Sequence, residues 1–229
     1  MIKKALLMAS AAVALNLFIA SAQAADVAAP EDHGFYVSLF AGASFLDDVD
    51  TNVSLTGYDY DYSVDTKSGY IVGGAVGMRV WDPLRAEVEL SYARWKAKSY
   101  DYQFGDFRTG GDASGHLSAT YLLGNLWIDI PTHTGFTPYI GGGAGVAWVD
   151  ADTSFNGQPL GYGDGEAGFA FQLGAGVKLD ITEQVALDVG YRFKGILDVD
   201  FEDAGGAPDD FKGGDLYSHN VQAGVIFSF

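Results

Sequence analysis

From residue 34 onward, apolar residues alternate with polar or small residues along most of the chain. A period of two is typical of β-strands, because successive side chains point to opposite faces of the strand. In the first run, Phe35 and Leu39 share one face, and Tyr36 and Ser38 share the other. The pattern predicts eight strands, at 34–45, 69–81, 84–96, 116–130, 137–149, 166–180, 185–197 and 216–229.

The gaps between these strands alternate in length. Long gaps at 46–68, 97–115, 150–165 and 198–215 are separated by short gaps at 82–83, 131–136 and 181–184. Bacterial membrane barrels have an even number of antiparallel strands, tight turns at one end and longer loops at the other. We therefore predict an all-β fold for residues 34–229, an eight-stranded antiparallel transmembrane β-barrel with short periplasmic turns and four long extracellular loops.

In most of the predicted strands, the charged residues fall on one face. In 185–197, Val185, Leu187 and Val189 share one face, whereas Asp188 and Arg192 share the other. A basic residue facing lipid at the bilayer midplane costs about 2–4 kcal/mol, so the charged face is assigned to the lumen. Eight strands enclose a space that side chains fill, and the sequence therefore predicts a lumen plugged by ion pairs. The predicted lumen ion network is Arg79, Arg85, Glu87, Glu89, Asp129, Lys178, Asp188, Arg192 and Lys194.

The first 33 residues follow a different pattern. Lys3 and Lys4 precede an apolar stretch, and small residues at Ala22 and Ala24 follow it. This order is typical of a secretory signal peptide, and the uninterrupted apolar run is shorter than the roughly 20 residues of a membrane-spanning helix. We predict a cleaved signal peptide at 1–24, a periplasmic linker at 25–33, and export to the cell outer membrane.

Composition excludes several classes of protein. The chain has no cysteine, which excludes disulfides and thiolate metal sites. With 13 Lys and Arg against 30 Asp and Glu, the net charge is −17, and no affinity for nucleic acid is expected. The four long gaps, with residue 166, hold 20 of the 30 acidic residues, so the predicted loops are strongly acidic.

Three segments resemble a known family. The last strand ends on an aromatic residue and resembles the C-terminal assembly signal of outer-membrane barrels, which here is Val221, Ala223, Val225, Phe227 and Phe229. Segments 137–143 and 187–193 resemble the small porin-like and opacity-type surface antigens of Gram-negative bacteria. The resemblance implies contact with outer-membrane lipid and lipopolysaccharide, assembly by the barrel-assembly machinery, and a structural or surface-interaction role.

Two predicted loops alternate aromatic and acidic residues. Folding the hairpin about Asp82-Pro83 places Val64 near Asp101 and Tyr62 near Gln103, which predicts a ribbon that continues above the membrane. The candidate contact residues of this tyrosine ribbon are Tyr58, Tyr60, Tyr62, Tyr100 and Tyr102. A ligand on a host or another cell is one interpretation, and a solvated hairpin whose tyrosines pack on each other is the alternative.

One catalytic constellation remains as a remote alternative. His116-x-Ser118 with Asp129 resembles the arrangement of outer-membrane lipid A deacylases, in which a serine nucleophile, a histidine base and an orienting acid cooperate. The half of the strand from His116 to Tyr121 permits either face assignment and predicts a bulge. No motif predicts a cofactor or a metal site.

The sequence thus predicts a monomeric structural barrel that displays acidic loops and is not an enzyme. The alternatives are a narrow cation-preferring porin, an adhesin acting through the tyrosine ribbon and, more remotely, a lipid A deacylase.

Overall fold

The computed structural model describes residues 34–47, 49–55, 58–104, 107–112, 114–132, 134–155, 158–199 and 214–229. The predicted signal peptide at 1–24 and linker at 25–33 lie outside the described residues. Within the described ranges, no helix is long and apolar enough to cross a membrane.

Every described regular element is a strand. The strands are β1 (Phe35–Leu46), β2 (Val49–Leu55), β3 (Tyr58–Trp81), β4 (Leu84–Phe104), β5 (Phe107–Asp112), β6 (Ser114–Asp129), β7 (Phe136–Phe155), β8 (Gln158–Asp180), β9 (Val185–Val199) and β10 (Gly214–Ser228). Eight of them close into a ring in the order β1-β3-β4-β6-β7-β8-β9-β10, in which β10 pairs with β1 in antiparallel fashion. This closed ring confirms the predicted eight-stranded antiparallel barrel.

The two ends of the barrel differ as the gap lengths predict. At the turn end, β3 and β4 are joined through Asp82-Pro83, a cis peptide bond, and β8 and β9 through residues 181–184. At the opposite end, called the hairpin end here, much of the chain expected to be loop is strand. β3 and β4 extend well beyond their predicted limits, and β2 and β5 pair with these extensions. The backbone pairing continues beyond the ring because hydrogen bonds between neighbouring strands satisfy N–H and C=O groups that would bond to water in a loop.

The tyrosine ribbon is paired, but its predicted register is wrong by one residue. Tyr62 lies opposite Tyr102, and Val64 lies opposite Tyr100. Irregularities interrupt the β3–β4 ladder after Arg79, near Lys67 and near Asp65. Each irregularity shifts the pairing of the residues beyond it, so a register counted in equal steps from the turn at Asp82-Pro83 does not include these shifts.

The predicted bulge in the 116–130 strand is also wrong. β6 pairs with β4 and with β7 without any register shift. Its odd-numbered residues stay buried up to Ala119 and Tyr121, so one face assignment holds along the strand. This assignment places His116 and Ser118 on the outer side.

The outer surface of the ring is apolar. Leu39, Val88, Leu126, Leu173 and Val189 are large, exposed hydrophobic residues from five different strands. Each sits at a strand position whose neighbours along the chain point inward. A continuous apolar belt of this kind is the surface that a membrane barrel presents to acyl chains.

Candidate functional site

The lumen is filled by the side chains that alternate with the apolar belt. Large inward residues face inward glycines on neighbouring strands. A Cβ added at Gly77 would overlap the ring of Tyr36, and one added at Gly176 would overlap the hydroxyl of Tyr139. Glycine is therefore needed at these positions because the space is already occupied.

Near the turn end, Asp129 on β6 accepts hydrogen bonds from two cations. Arg85 Nε lies 2.9 Å from Asp129 Oδ1, and Lys178 Nζ lies 2.6 Å from Oδ2. Arg85 Nη1 also donates to the Tyr36 hydroxyl at 2.8 Å, and this hydroxyl donates to Glu87 Oε2 at 2.9 Å. Five side chains from four strands are thereby joined across the lumen.

Glu89 forms the centre of a second group, further toward the hairpin end. Its Oε1 accepts from Lys194 Nζ at 2.6 Å and from Ser91 Oγ at 2.7 Å. Its Oε2 accepts from Gln172 Nε2 at 2.7 Å and from Asn125 Nδ2 at 3.1 Å. The ion pair is almost completely buried, with side-chain exposures of 0% for Lys194 and 3% for Glu89. Four donors on one carboxylate offset much of the cost of taking its charge out of water.

Arg192 is held by aromatic rings. Its guanidinium carbon lies 4.2 Å from the centre of the Trp127 ring, and Nη2 donates to the Tyr139 hydroxyl at 2.8 Å. Arg192 and Asp188 line a cavity of about 20 Å³, which is the space of roughly one water molecule. Beside Arg192, the lumen therefore has room for little more than one water molecule.

Toward the hairpin end, the filling changes from polar to apolar. The buried cluster there contains Ile71, Trp95, Tyr121, Ile196 and Leu216. Trp95 Nε1 donates to Ser44 Oγ at 2.9 Å, so its one polar group is satisfied. Lys194 Nζ lies 4.8 Å from the centre of the Tyr121 ring, where the two layers meet.

The structure brings most of the predicted lumen network together, but not Arg79. Arg79 pairs with Asp82 at 2.8 Å on the turn end, where the two side chains are 52% and 81% exposed. Arg79 occupies a lumen-facing position, but it lies two residues before the end of β3, where its side chain reaches water. Its predicted place in the plug is therefore wrong.

The remaining predicted residues fall on the outside or beyond the ring. Val221, Ala223, Phe227 and Phe229 are exposed on the outer face of β10 or at its end, and Val225 on the same face is half-buried. Phe229 N donates to Phe35 O at 2.9 Å, which extends the seam between the first and last strands. The tyrosine ribbon is described for its backbone pairing only, and its side chains lie outside the described residues.

The deacylase constellation is not assembled. His116 and Ser118 occupy even-numbered, outer positions of β6, whereas Asp129 occupies an odd-numbered position and pairs inside the lumen with Arg85 and Lys178. His116 and Asp129 are also 13 positions apart, roughly 40 Å along a strand. The three groups therefore cannot act on one substrate.

Several residues that build the lumen were not predicted as part of the site. Tyr36, Tyr139 and Trp127 bind the cations, and Trp95 and Tyr121 fill the apolar layer. All five share the lumen-facing side of their strands. The period of two places all five on the lumen-facing side, but the predicted network contained only charged residues.

Comparison with known proteins gives the family. The model of the outer membrane protein beta-barrel domain matches residues 10–229. The chain is 29% identical over 157 residues to an uncharacterized protein of Brucella abortus, covering 59% of this chain and 54% of that protein. It is 30% identical over 142 residues to the outer membrane protein PagN of Salmonella typhimurium, covering 56% of this chain and 59% of PagN. The matches thus span little more than half the length of these relatives.

A solved structure has the same fold. The crystal structure of Neisserial surface protein A has a TM-score of 0.51 and 20% sequence identity, and the match covers 85% of this chain and 97% of that one. At this identity the likeness concerns the fold alone. Together with the closed ring, the apolar belt and the family match over residues 10–229, it shows that this chain belongs to the outer membrane protein beta-barrel family and lies in the outer membrane.

Proposed function

We propose that the protein is a structural barrel of the outer membrane that displays acidic extracellular loops and does not conduct ions. The carrying observation is the buried Glu89 carboxylate, which binds four donors from four different strands, β4, β6, β8 and β9. A buried carboxylate bonded from four strands inside a closed wall ties those strands together and supports a rigid filling. The apolar layer around Trp95 and Tyr121 supports the same conclusion, because an ion that crosses a layer of packed apolar side chains loses its hydration.

Planar-bilayer conductance tests this proposal. We expect wild type and the polar-layer variant R192A/E87A to be silent, because the apolar layer remains intact in both. Adding Trp95→Ala to that variant removes the largest buried side chain of the second layer, and we expect steady conductance only then. The pair R79A/D82A, which removes one charge of each sign outside the plug, is the matched control. Steady, cation-selective steps from wild type would instead support the narrow porin.

A second candidate, an adhesin, is supported by the sheet at the hairpin end. Strands β2, β3, β4 and β5 pair in that order over residues 49–55, 58–64, 99–104 and 107–112, where the β3–β4 ladder extends beyond the barrel ring. The two edge strands, β2 and β5, offer unpaired backbone groups to a partner. The tyrosine ribbon occupies the two central strands of this sheet.

Cell-binding assays distinguish this candidate. Replacing Tyr58, Tyr60 and Tyr62 with serine leaves the strand period intact and removes three of the five ribbon tyrosines. If the ribbon binds a cell or matrix ligand, adherence of bacteria that carry this variant falls to the level of bacteria without the protein. Replacing Phe136, an exposed residue at the turn end, with serine controls for loss of an aromatic residue elsewhere. Unchanged adherence of the ribbon variant would remove this candidate.

A further inference from the structure

Three polar side chains on strands β9 and β10 each have a buried atom that no side chain satisfies. These atoms are Asp188 Oδ1, Arg192 Nε and Gln222 Oε1, which are shielded from solvent and have no hydrogen-bond partner among the described residues. The three residues are 9%, 5% and 4% exposed, respectively. Buried polar groups in proteins are almost always bonded to another protein group or to an ordered ligand or water. Three such atoms close together therefore indicate a binding site.

The register of β9 and β10 brings these three side chains together. On β9, Asp188 and Arg192 occupy lumen-facing positions on either side of Gly190. Gln222 on β10 lies directly opposite Gly190. It is therefore the diagonal neighbour of both charged residues, at about 7–8 Å between Cα atoms. All three residues line the cavity of about 20 Å³, so the unpartnered atoms belong to residues around one space.

The cavity has the size of one water molecule. A volume of about 20 Å³ exceeds the roughly 10–15 Å³ that one water needs, and it leaves no room for a larger solute. The guanidinium of Arg192 is held over the Trp127 ring and by the Tyr139 hydroxyl. None of the ion pairs between described side chains joins Arg192 to Asp188. The two opposite charges thus line the same space without a direct ion pair.

The donors and acceptors around the cavity select its ligand. A cation is disfavoured because Arg192 contributes a positive charge and an N–H donor. An anion is disfavoured because Asp188 and Gln222 contribute oxygen atoms that only accept hydrogen bonds. Water both donates and accepts, so one molecule can satisfy all three atoms. Three hydrogen bonds are also about the usual number for a buried water.

We propose that this cavity binds one water molecule, which links Arg192 on β9 to Asp188 and to Gln222 on β10. The water donates to Asp188 Oδ1 and Gln222 Oε1 and accepts from Arg192 Nε. It supplies the hydrogen bonds that these side chains do not receive from the protein, and it acts as the bridge of a solvent-mediated ion pair. It also ties β9 to β10, the strand that closes the barrel against β1.

Nuclear magnetic resonance of the refolded protein in deuterated detergent tests the site through the Nε–H protons of two arginines. Arg192 and Arg85 are matched in burial, since each is 5% exposed, but Arg85 Nε donates to the Asp129 carboxylate. We expect a dipolar cross-peak between water and the Arg192 Nε–H proton, and none for Arg85. A rotating-frame spectrum separates bound water from proton exchange, because only the dipolar cross-peak changes sign.

A substitution in β10 tests the bridge between the strands. Gln222→Leu removes one of the two acceptors and keeps the approximate size of the side chain. We expect the Arg192 cross-peak to be lost, because the water then has one hydrogen bond fewer. The matched control is Gln184→Leu, which removes an exposed glutamine in the turn before β9 and should leave the cross-peak unchanged. If Gln222→Leu does not fold, the comparison of the two arginines in wild type still decides.

Four results would overturn the proposal. Absence of the cross-peak at Arg192 would show that its Nε–H group does not contact water. Equal cross-peaks at Arg192 and Arg85 would show general penetration of water into the lumen instead of one site. An unchanged cross-peak in Gln222→Leu would contradict the link to β10. A saturable shift of the Arg192 Nε–H resonance on titration with sodium chloride, without a water cross-peak, would assign the cavity to an ion.

Discussion

At the scale of single residues, the most deeply buried charges of the lumen, Lys194 and Glu89, are paired with each other. The Lys194 side chain is fully buried and pairs with the Glu89 carboxylate. The other groups that donate hydrogen bonds to this carboxylate are neutral, so Lys194 supplies the positive charge. Breaking such a pair is more costly than never having formed it, because the remaining charge stays in a medium of low polarity. Neighbouring glycines have the complementary role, since they leave the volume that these long side chains occupy.

Removing the Lys194 ammonium should destabilise the barrel strongly. We expect Lys194→Met to lower the free energy of unfolding by about 3–5 kcal/mol, because Glu89 then remains charged and unpaired. The double variant K194M/E89Q should recover a large part of this loss, since the amide carries no charge. Urea unfolding in lipid vesicles measures both. The exposed pair supplies the control, and Arg79→Met should cost less than about 1 kcal/mol.

A single methyl group should distinguish the filled lumen from the open outer face. Gly77→Ala places a Cβ on the Tyr36 ring and displaces its hydroxyl from Arg85, which should cost about 1–3 kcal/mol. At Gly124, on the outer side of β6, an added Cβ meets only the Ala144 carbonyl oxygen, at 3.9 Å. Gly124→Ala should therefore change stability by no more than about 0.5 kcal/mol in the same unfolding experiment. Equal effects at both positions would contradict the packing described for Tyr36.

At the scale of elements, each barrel strand has one face for lipid and one for the lumen. β9 shows this alternation clearly, with Leu187 and Val189 outside and Asp188 and Arg192 inside. The strand lengths have a second consequence. β3 and β4 contain 24 and 21 residues, about twice the 9–11 residues that span a bilayer. The excess forms the paired sheet at the hairpin end instead of free loops.

The face assignment of β9 predicts the effect of a misplaced charge. Val189 is 57% exposed in the middle of the apolar belt, and Val189→Arg should destabilise the barrel by about 2–4 kcal/mol in lipid vesicles. Gln184→Arg introduces the same charge in the exposed turn before β9, and we expect a change within about 0.5 kcal/mol. A tolerated arginine at position 189 would show that this face does not contact acyl chains.

At the scale of the whole molecule, closure and filling act together. The β1–β10 seam removes the two edges that an open sheet would expose, and a membrane offers no water to satisfy such edges. The polar layer and the apolar layer then fill the enclosed space from the turn end to the hairpin end. A closed and filled barrel fits a structural and display role better than transport.

The assembly signal belongs to this scale, because it concerns insertion of the complete barrel. Phe229→Ala keeps the backbone hydrogen bond from residue 229 to Phe35 but removes the exposed aromatic ring. If the ring is recognised during assembly, the folded protein in the outer-membrane fraction decreases severalfold, as measured by heat-dependent electrophoretic migration. Phe136→Ala removes another exposed aromatic residue at the same end and should leave the folded fraction unchanged.

The sequence by itself determined the strand number, the two kinds of connection and the lipid-facing side of most strands. These properties follow from a local period of two, which one strand displays without reference to its neighbours. The sequence also indicated which charged residues lie in the lumen, except for Arg79. The strand period shows that Arg79 faces inward, but it does not show that this residue lies at the exposed end of the barrel.

Only the tertiary structure decided which groups meet. The bond from Lys194 to Glu89 joins residues 105 positions apart, and the bond from Arg85 to Tyr36 joins residues 49 apart. Such pairings depend on the stagger between strands, and irregularities like those in the β3–β4 ladder change that stagger by one residue. The apolar layer near the hairpin end depends on it in the same way, because this layer gathers side chains from several strands at one height of the barrel.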